Sequence, residues 1–558
     1  MTTDNRTKLD SVTLKVLWDR LVSIVNEATV AQYRTAFSAV VQEALDFACS
    51  IMDKNGTTLA NSEGGLPSFI ATQAFTLQAL LQRFPLSEIQ PGDVFITNDP
   101  WIGTGQAMDL TLLKPIFKHH FLVAFAGSVA HAPDLGGAQR WNLSLDVFDE
   151  AILLPLMKLY ERGVPNATLL SLLRANSRMP DKTIGDLESQ LAALQRTEIR
   201  LLEVMDEYGL DDLDELVAAI YERSEGAMRE AIEKIPDGEF RGELWSDGFP
   251  DPVMKGQQTQ EPILLRATVT VKGSNMTVDY TGSSPQRPGS FNSVWTFTSA
   301  YALYGLRMML VPYLANNGAF YRPIKIICPE GTVVNARYPS ACLSRHLIGH
   351  LSVDVIYTAL APVLPDQVLG QSGSAPSWDL LLMGEDKRGR SFHTLTIVNG
   401  GSGAAPQQDG YIVAFPANLR NTPVEIMESV MPLVCEGKEV IVDSAGMGRQ
   451  RGGFGQRMIF RALAPLGYSL INARIAHAAQ GLLGGTAGRA GHAEASGLEL
   501  PSGSDGTLQV GERLVLETPG GGGLGPVAER DPQLIEADLR EGLISHDPRG
   551  AANGHTPM

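Results

Sequence analysis

Two short segments carry acids and an imidazole at matching intervals. In "ITNDPWIGTGQAMDL", residues 96–110, Asp99 and Asp109 stand among small and apolar neighbours. In "HAPD", residues 131–134, His131 precedes Asp134 by the same interval that separates Gln106 from Asp109. Oxygen and imidazole donors that converge on one point suit a divalent metal such as Zn²⁺ or Mn²⁺, which needs three or more well-placed ligands. The same types also serve plainer ends: Asp109 and Asp134 can cap turns, and His131 can be a core histidine bonded to one of them. For Asp99, which precedes Pro100, an Asx-type turn is the simpler role.

The donors meet only if the chain between them folds back. "DLTLLKPIF" and "FLVAFAGSVAH" are apolar runs separated by the polar tip "KHH" at 118–120, the pattern of a β-hairpin. Residues facing each other across a hairpin have a constant sum, so a turn at His119 and His120 sets Asp109 against His131. If the pairing ran further, Gln106 would face Asp134. Around the hairpin, apolar residues recur at helical spacing over 13–53, 71–84, 182–235 and 351–364, and Gly209 is a helix-end signal. From about Pro236 the chain turns β-rich, with a second hairpin around "KGSN". After about 365 glycine dominates the turns, and "DPQLIEADLREGLIS" reads as a terminal helix. The expectation is a multidomain α+β protein, divided as an α+β part at 1–240, a mixed β-rich part at 241–460 and a β-rich end at 461–558.

Composition excludes several classes. The chain has 558 residues, 44% hydrophobic and 19% charged, which fits a globular protein rather than a disordered one. With 45 Lys and Arg against 62 Asp and Glu the formal charge is −17, which speaks against nucleic acid or anionic membrane as a partner bound through a positive field. Cys49, Cys328, Cys342 and Cys435 are scattered and form no CxxC, so neither a disulfide framework nor a thiolate zinc site is indicated. The opening "MTTDNRTKLDSV" has no apolar signal core, and the expected location is the cytoplasm.

Other motifs carry less. "GGGGLG" at 520–525 satisfies GxGxxG after a strand, but Pro526 interrupts any following helix and too little chain remains for a nucleotide fold. No GxxxxGK[ST] exists. His346 and His350 stand one helical turn apart without an evident third ligand, and an interface or helix-surface role is the simpler one, with Arg345 beside them able to hold an anionic group. Trp101 and Tyr280 are candidate pocket residues, though isolated aromatics are more often packing.

"GDVFITNDPWIG", "AHAPDLGG", "VDYTGSSPQ", "RNTPVEIME", "GGFGQ" and "LETPGGGGLG" resemble, in order, the signature segments of the hydantoinase B/oxoprolinase family over residues 10 to 545. The family includes the B-type chains of N-methylhydantoinase-like enzymes, caprolactamase and acetone or acetophenone carboxylases. The resemblance implies a cytoplasmic catalytic subunit in a hetero-oligomer with an ATP-binding A-type partner that phosphorylates a substrate carbonyl oxygen. It further implies metal ligands, Zn or Mn, at Asp46 in "LDFACS", at Asp109, and at His131 and Asp134, with Gln106 where the family has histidine. On that scheme His131, oriented by Asp109 or Asp134, holds the metal or acts as general base. The expected reaction is hydrolysis of a cyclic amide; ketone carboxylation and a non-catalytic scaffold are the alternatives.

Overall fold

The computed structural model describes residues 10–549 apart from 139–143, 254–260, 387–388, 390 and 415–418; the first nine residues of the opening stretch lie outside it. The chain is α+β, with four sheets, the first two of which carry most of the helices.

The first sheet holds β1 (Phe47–Asp53), β2 (Thr58–Asn61), β3 (Val94–Thr97), β4 (Asp109–Lys118), β5 (Phe121–His131), β6 (Met157–Glu161) and β7 (Val164–Pro165), in the order β2-β1-β5-β4-β3-β6-β7. The expected hairpin is β4–β5. Its tip is His119 and His120, both at positive φ, the geometry of the two-residue turns whose twist suits a hairpin. Asp109 pairs with His131 as the constant sum requires. One expectation fails here: residues 13–53 are not helical throughout. Helix α1 (Ser11–Thr35) and the single turn α2 (Ala39–Gln42) are followed by strand β1, buried along its whole length. A strand covered on both faces shows no alternation, so its apolar run cannot be told from a buried helix by period.

α3 (Pro67–Arg83), α4 (Ala167–Asn176), α5 (Pro180–Glu207) and α6 (Asp214–Glu233) complete the first half. α1 and α5 pack together against the sheet, and the core joins Trp18 and Leu21 of α1, Leu187 and Leu194 of α5, and Leu110, Leu112 and Ala126 of the hairpin. The far side is filled by α3, with Leu77 and Leu80 against Phe95 and Phe125. Gly209 ends α5 at positive φ, as its position predicts.

The second sheet contains β8 (Gly238–Ser246), β9 (Ile263–Lys272), β10 (Asn275–Asp279) and β11 (Ile324–Ile327), with β9–β10 the second expected hairpin. α7 (Trp295–Leu310), the one-turn α8 (His346–Gly349) and α9 (Leu351–Leu360) follow. α9 lies so close on β8 that a Cβ at Gly242 would stand 2.3 Å from the Val355 carbonyl oxygen.

The last two sheets are built from β12 (Trp378–Glu385), β13 (Ser391–Val398), β14 (Leu433–Val440), β15 (Gln456–Ala462), β16 (Leu466–Ile471), β17 (His492–Ala495), β18 (Leu498–Glu499), β19 (Ser504–Leu508) and β20 (Arg513–Glu517), with orders β13-β12-β16-β19 and β14-β15-β20-β17-β18. Both draw strands from either side of residue 460, and they share a core of Trp378, Leu380, Phe460, Leu470 and Leu516. α10 (Val424–Val430) and the predicted terminal helix α11 (Pro532–Arg540) complete the chain. Among the described residues no helix is long and apolar enough to cross a membrane.

"GGGGLG" serves packing. Gly521 donates to the Gly453 carbonyl, Gly522 to Gln371 and Gly523 to Thr486, so one strand of glycines bonds three separate segments. A Cβ at Gly521 would lie 1.8 Å from the Ser402 carbonyl oxygen, and at Gly520 equally close to that of Ser444. Backbones touch here at a distance only glycine permits.

Candidate active site

Three neighbouring strand ends assemble one wall of the site. With β5 between β1 and β4, the His131 amide donates to the Asp46 carbonyl at 3.1 Å, and Asp109 lies opposite His131 in the ladder. Their side chains are buried. His131 Nδ1 is 3.0 Å from Asp109 Oδ1 and 3.9 Å from Asp46 Oδ2. The Gln106 amide donates to Asp109 Oδ1 and lies 2.9 Å from His131 Nδ1. A carboxylate at Nδ1 favours the tautomer with its proton there, and no hydrogen bond among the described residues closes Nε2.

Arg345, the residue before α8, reaches this wall from a distant part of the chain. Its Nη2 donates to Asp109 Oδ2 at 2.9 Å, its Nε to the Thr104 carbonyl at 2.9 Å, and its guanidinium lies over the Phe297 ring at 4.4 Å. Gly105 turns the chain at positive φ between these contacts. Burial opposes the charge of Asp109, but Arg345 and His131 together outweigh it and hold the carboxyl below its usual range. Burial also works against a charged His131, and the hydrogen bond to Asp109 with the Asp46 charge reverses it, raising His131. Asp46, too far from the ring to share a hydrogen bond with it, is pushed up to about 6 by burial.

Asp46, Gln106 and His131 line a cavity of about 50 Å³ together with Tyr301, His346, His350, Ser377 and Asp379. At roughly 10–15 Å³ of such space per water it has room for a few waters, the bulk of a small ring. His131, Leu343 and Leu395 also line a groove of about 700 Å³ that passes Glu150, Arg178, Lys182 and His393. The groove and the cavity meet at these three shared residues.

Asp109 stands behind Gln106 and His131, where it orients rather than lines. Asp134 is not brought to the cavity. β5 ends at His131 and the chain turns away at Pro133, so the pairing stops short of Gln106 and Asp134. Asp134 Oδ1 instead accepts from Gly136 N at 3.0 Å and Arg178 Nη1 at 2.9 Å, and its carbonyl accepts from Thr183 Oγ1 at 3.0 Å, which ties it to the start of α5. Asp99 accepts from Trp101 N at 2.9 Å in the expected Asx turn. Trp101 bonds the Ala336 carbonyl and Tyr280 that of Ser352, both outside the cavity. Three of the four free cysteines are buried.

Sequence reasoning missed Asp379 and undervalued Arg345 and His346. The His346–His350 pair faces the cavity rather than a surface. Burial and the Arg345 charge press His346 down to about 3, so it is neutral.

The resemblance implies a divalent metal, and the donors allow a test. Both oxygens of Asp109 are taken, one by the buried guanidinium, and the close third donor is an amide N–H. Among the described residues no group of three or more His, Cys, Asp or Glu side chains is arranged to hold a metal ion. As arranged, this donor set does not fit the ion.

Comparison with known proteins adds lineage to geometry. Over 568 residues the chain is 28% identical to the B-type chain of a putative D-/L-hydantoinase from a Pseudomonas strain, covering 97% of this chain and 94% of the relative. The crystal structure of ATP-dependent caprolactamase from Pseudomonas jessenii shares the fold with a TM-score of 0.85 at 23% identity, covering 97% of this chain and 96% of that one. A nucleotide-free acetone carboxylase structure also has a TM-score of 0.85, at 18% identity, covering 97% and 79%. The family model for hydantoinase B/oxoprolinase matches residues 10–527, nearly all of the strand ends, helices and glycine segments described above, and to that family the chain belongs.

Proposed function

We propose that this chain is the hydrolytic B-type subunit of an ATP-dependent enzyme that opens a cyclic amide, acting after an A-type partner has phosphorylated the amide carbonyl oxygen. The observation that carries the reading is the Asp109–His131 pair, locked from behind by Arg345 and facing a cavity of ring size, in a chain that matches a hydantoinase component along its whole length. Phosphorylation turns the amide carbon from a poor electrophile into a strong one, and what remains for this subunit is to deliver water to it and open the carbon–nitrogen bond.

His131 is the base. Asp109 holds Nδ1 and stabilises the imidazolium that forms, which leaves Nε2 to take a proton from water as its oxygen adds to the amide carbon. Arg345 and Gln106 fix Asp109 so that ring and carboxylate do not drift apart.

The test is co-expression with an A-type subunit and assay of ATP-dependent ring opening on hydantoin, a simple lactam and a cyclic imide, against His131→Ala. A loss of about 10²- to 10⁴-fold in the variant supports the reading. Incorporation of labelled bicarbonate into a ketone, with no ring opened, would replace it with the carboxylase alternative, and full activity of a complex carrying His131→Ala would leave this chain a scaffold.

A further inference from the structure

The cavity has a second wall. Opposite the strand ends of the first sheet stand Asp379, near the start of β12 in the third sheet, and His346 on α8, both buried and both lining the same space as Asp46 and His131. Asp379 Oδ1 is within 3.3 Å of the Ser377 hydroxyl, which donates to it. Its Oδ2 lies 3.4 Å from His346 Nε2. That nitrogen is fully buried and has no hydrogen-bond partner among the described residues. Leaving a buried polar group unmatched is unfavourable, and such a group in a cavity wall is placed to meet a ligand.

His346 is the next residue after Arg345, whose guanidinium is anchored on Asp109 of the first wall. The position of His346 is therefore tied to that of the base across the cavity. β12 brings Asp379 from a sheet that shares no strand with the first.

We propose that Asp379 is the proton donor to the departing ring nitrogen, with His346 as its positioning residue. This rests on the ring-opening reading above. When water adds to the amide carbon its proton passes to His131. As the carbon–nitrogen bond breaks, the electron pair goes to nitrogen, which takes the proton of Asp379 and leaves as a neutral amine. The added hydroxyl gives its proton to solvent as the carbonyl re-forms, and the acyl phosphate left on the carbon is hydrolysed by a second water, which releases phosphate and the ring-opened carboxylate. Asp379 is then a carboxylate and His131 an imidazolium, and one proton returned from the second to the first restores both. The groups that face Asp379 are Asp46, His131, Arg345, His346 and Ser377. Burial, then the charge of Asp46, push its carboxyl up to about 7, so that at neutral pH it carries a proton for much of the time. The two acids at the site, Asp109 low and Asp379 high, are thereby set apart by their surroundings, as a base partner and an acid must be.

The reaction itself supplies the test, because a proton donor matters in proportion to how poorly nitrogen leaves without one. In a simple lactam the leaving nitrogen is strongly basic. In a cyclic imide a second carbonyl stabilises it unprotonated. The complex with its partner and ATP is assayed on both rings, as wild type, Asp379→Asn, Asp379→Glu and His346→Gln. We expect Asp379→Asn to lose about 10²-fold or more in kcat on the lactam and less than about tenfold on the imide. Asp379→Glu should regain part of the lactam rate, and His346→Gln should show the same split more weakly. Equal losses on the two rings, or none, overturn the proposal. If Asp379→Asn does not fold, the split in the other two variants decides. A wild-type complex that opens neither ring overturns the ring-opening reading instead, and this one with it.

Discussion

Replacing Arg345 by Met tests whether the first wall depends on one buried ion pair. The substitution keeps apolar bulk against Phe297 but removes the cation 2.9 Å from Asp109 Oδ2 and the donor to the Thr104 carbonyl. Asp109 has no exposed side-chain surface, so water cannot replace what is lost. Removing one partner of a buried pair costs about 3–5 kcal/mol, because a charge is left without compensation. The double variant Arg345→Met/Asp109→Asn removes that charge too and should recover most of the loss, giving a coupling of about 2 kcal/mol or more. Because the loss is local to the hairpin, the assay is amide hydrogen exchange along β4 and β5, which reads the local opening free energy. At about 1.4 kcal/mol per decade, Arg345→Met should speed exchange of these amides by roughly 10²- to 10³-fold or more near neutral pH. The acid behaviour follows. Asp109 is depressed below 3.8, so its share of stability is present above that value and is lost as pH falls through the lower folded one; with Arg345 gone this acid limb flattens. A coupling below about 0.5 kcal/mol, or exchange in β4 and β5 indistinguishable from wild type, would refute the argument.

Gln106→His supplies an imidazole where the amide N–H now closes the cluster, and the variant should retain about one Zn or Mn per chain by elemental mass spectrometry where wild type retains almost none; stoichiometric metal in wild type would show that the present donors suffice. Glu150 lies on the groove and accepts the Cys342 and Leu343 amides at 2.9 and 2.8 Å, while burial pushes it from 4.5 up to about 8. The folded state therefore keeps a proton that the unfolded chain loses, so this residue makes stability fall as pH rises from about 4.5 to about 8 and no further. The melting temperature of Glu150→Gln, relative to wild type, should climb across that window, and a difference independent of pH would sink the assignment. Gly521→Ala puts a methyl 1.8 Å from a carbonyl oxygen, and a cost at or above the upper end of the roughly 1–3 kcal/mol of overpacking is expected; a variant melting within a degree of wild type would mean that the glycine segments tolerate separation.

What the sequence showed of the fold was what short-range rules encode. The β4–β5 register followed from two apolar runs and a polar tip, because a tight turn leaves only one sum free. α5, α6 and α9 followed from period. β1 did not, since burial on both faces erased its alternation, and the glycine segments did not either: the partners of 521–523, at 453, 371 and 486, are far apart in sequence and meet them through backbone hydrogen bonds, which no side-chain pattern records.

The site divides the same way. Asp109 and His131 were legible as a pair because one hairpin carries both, and Asp46 because the family's segment marks it. Asp134 went astray because the pairing ends at Asp109 and His131, three positions short of it. Arg345 and Asp379 sit some 236 and 270 positions from Asp109, beyond the reach of any spacing rule. Yet one signal was present. Asp109 stands alone among apolar and small residues before a strand whose burial its sequence announces, and Arg345 follows "SACLS" and precedes an apolar helix. An isolated acid and an isolated arginine, each committed to the interior by its neighbours, cannot both be solvated there, and an unpaired buried charge costs more than most folds can bear. Two such residues of opposite sign imply each other. Once that pair is drawn, His346 follows Arg345 into the cavity wall, and the only question left to geometry is which acid it meets there.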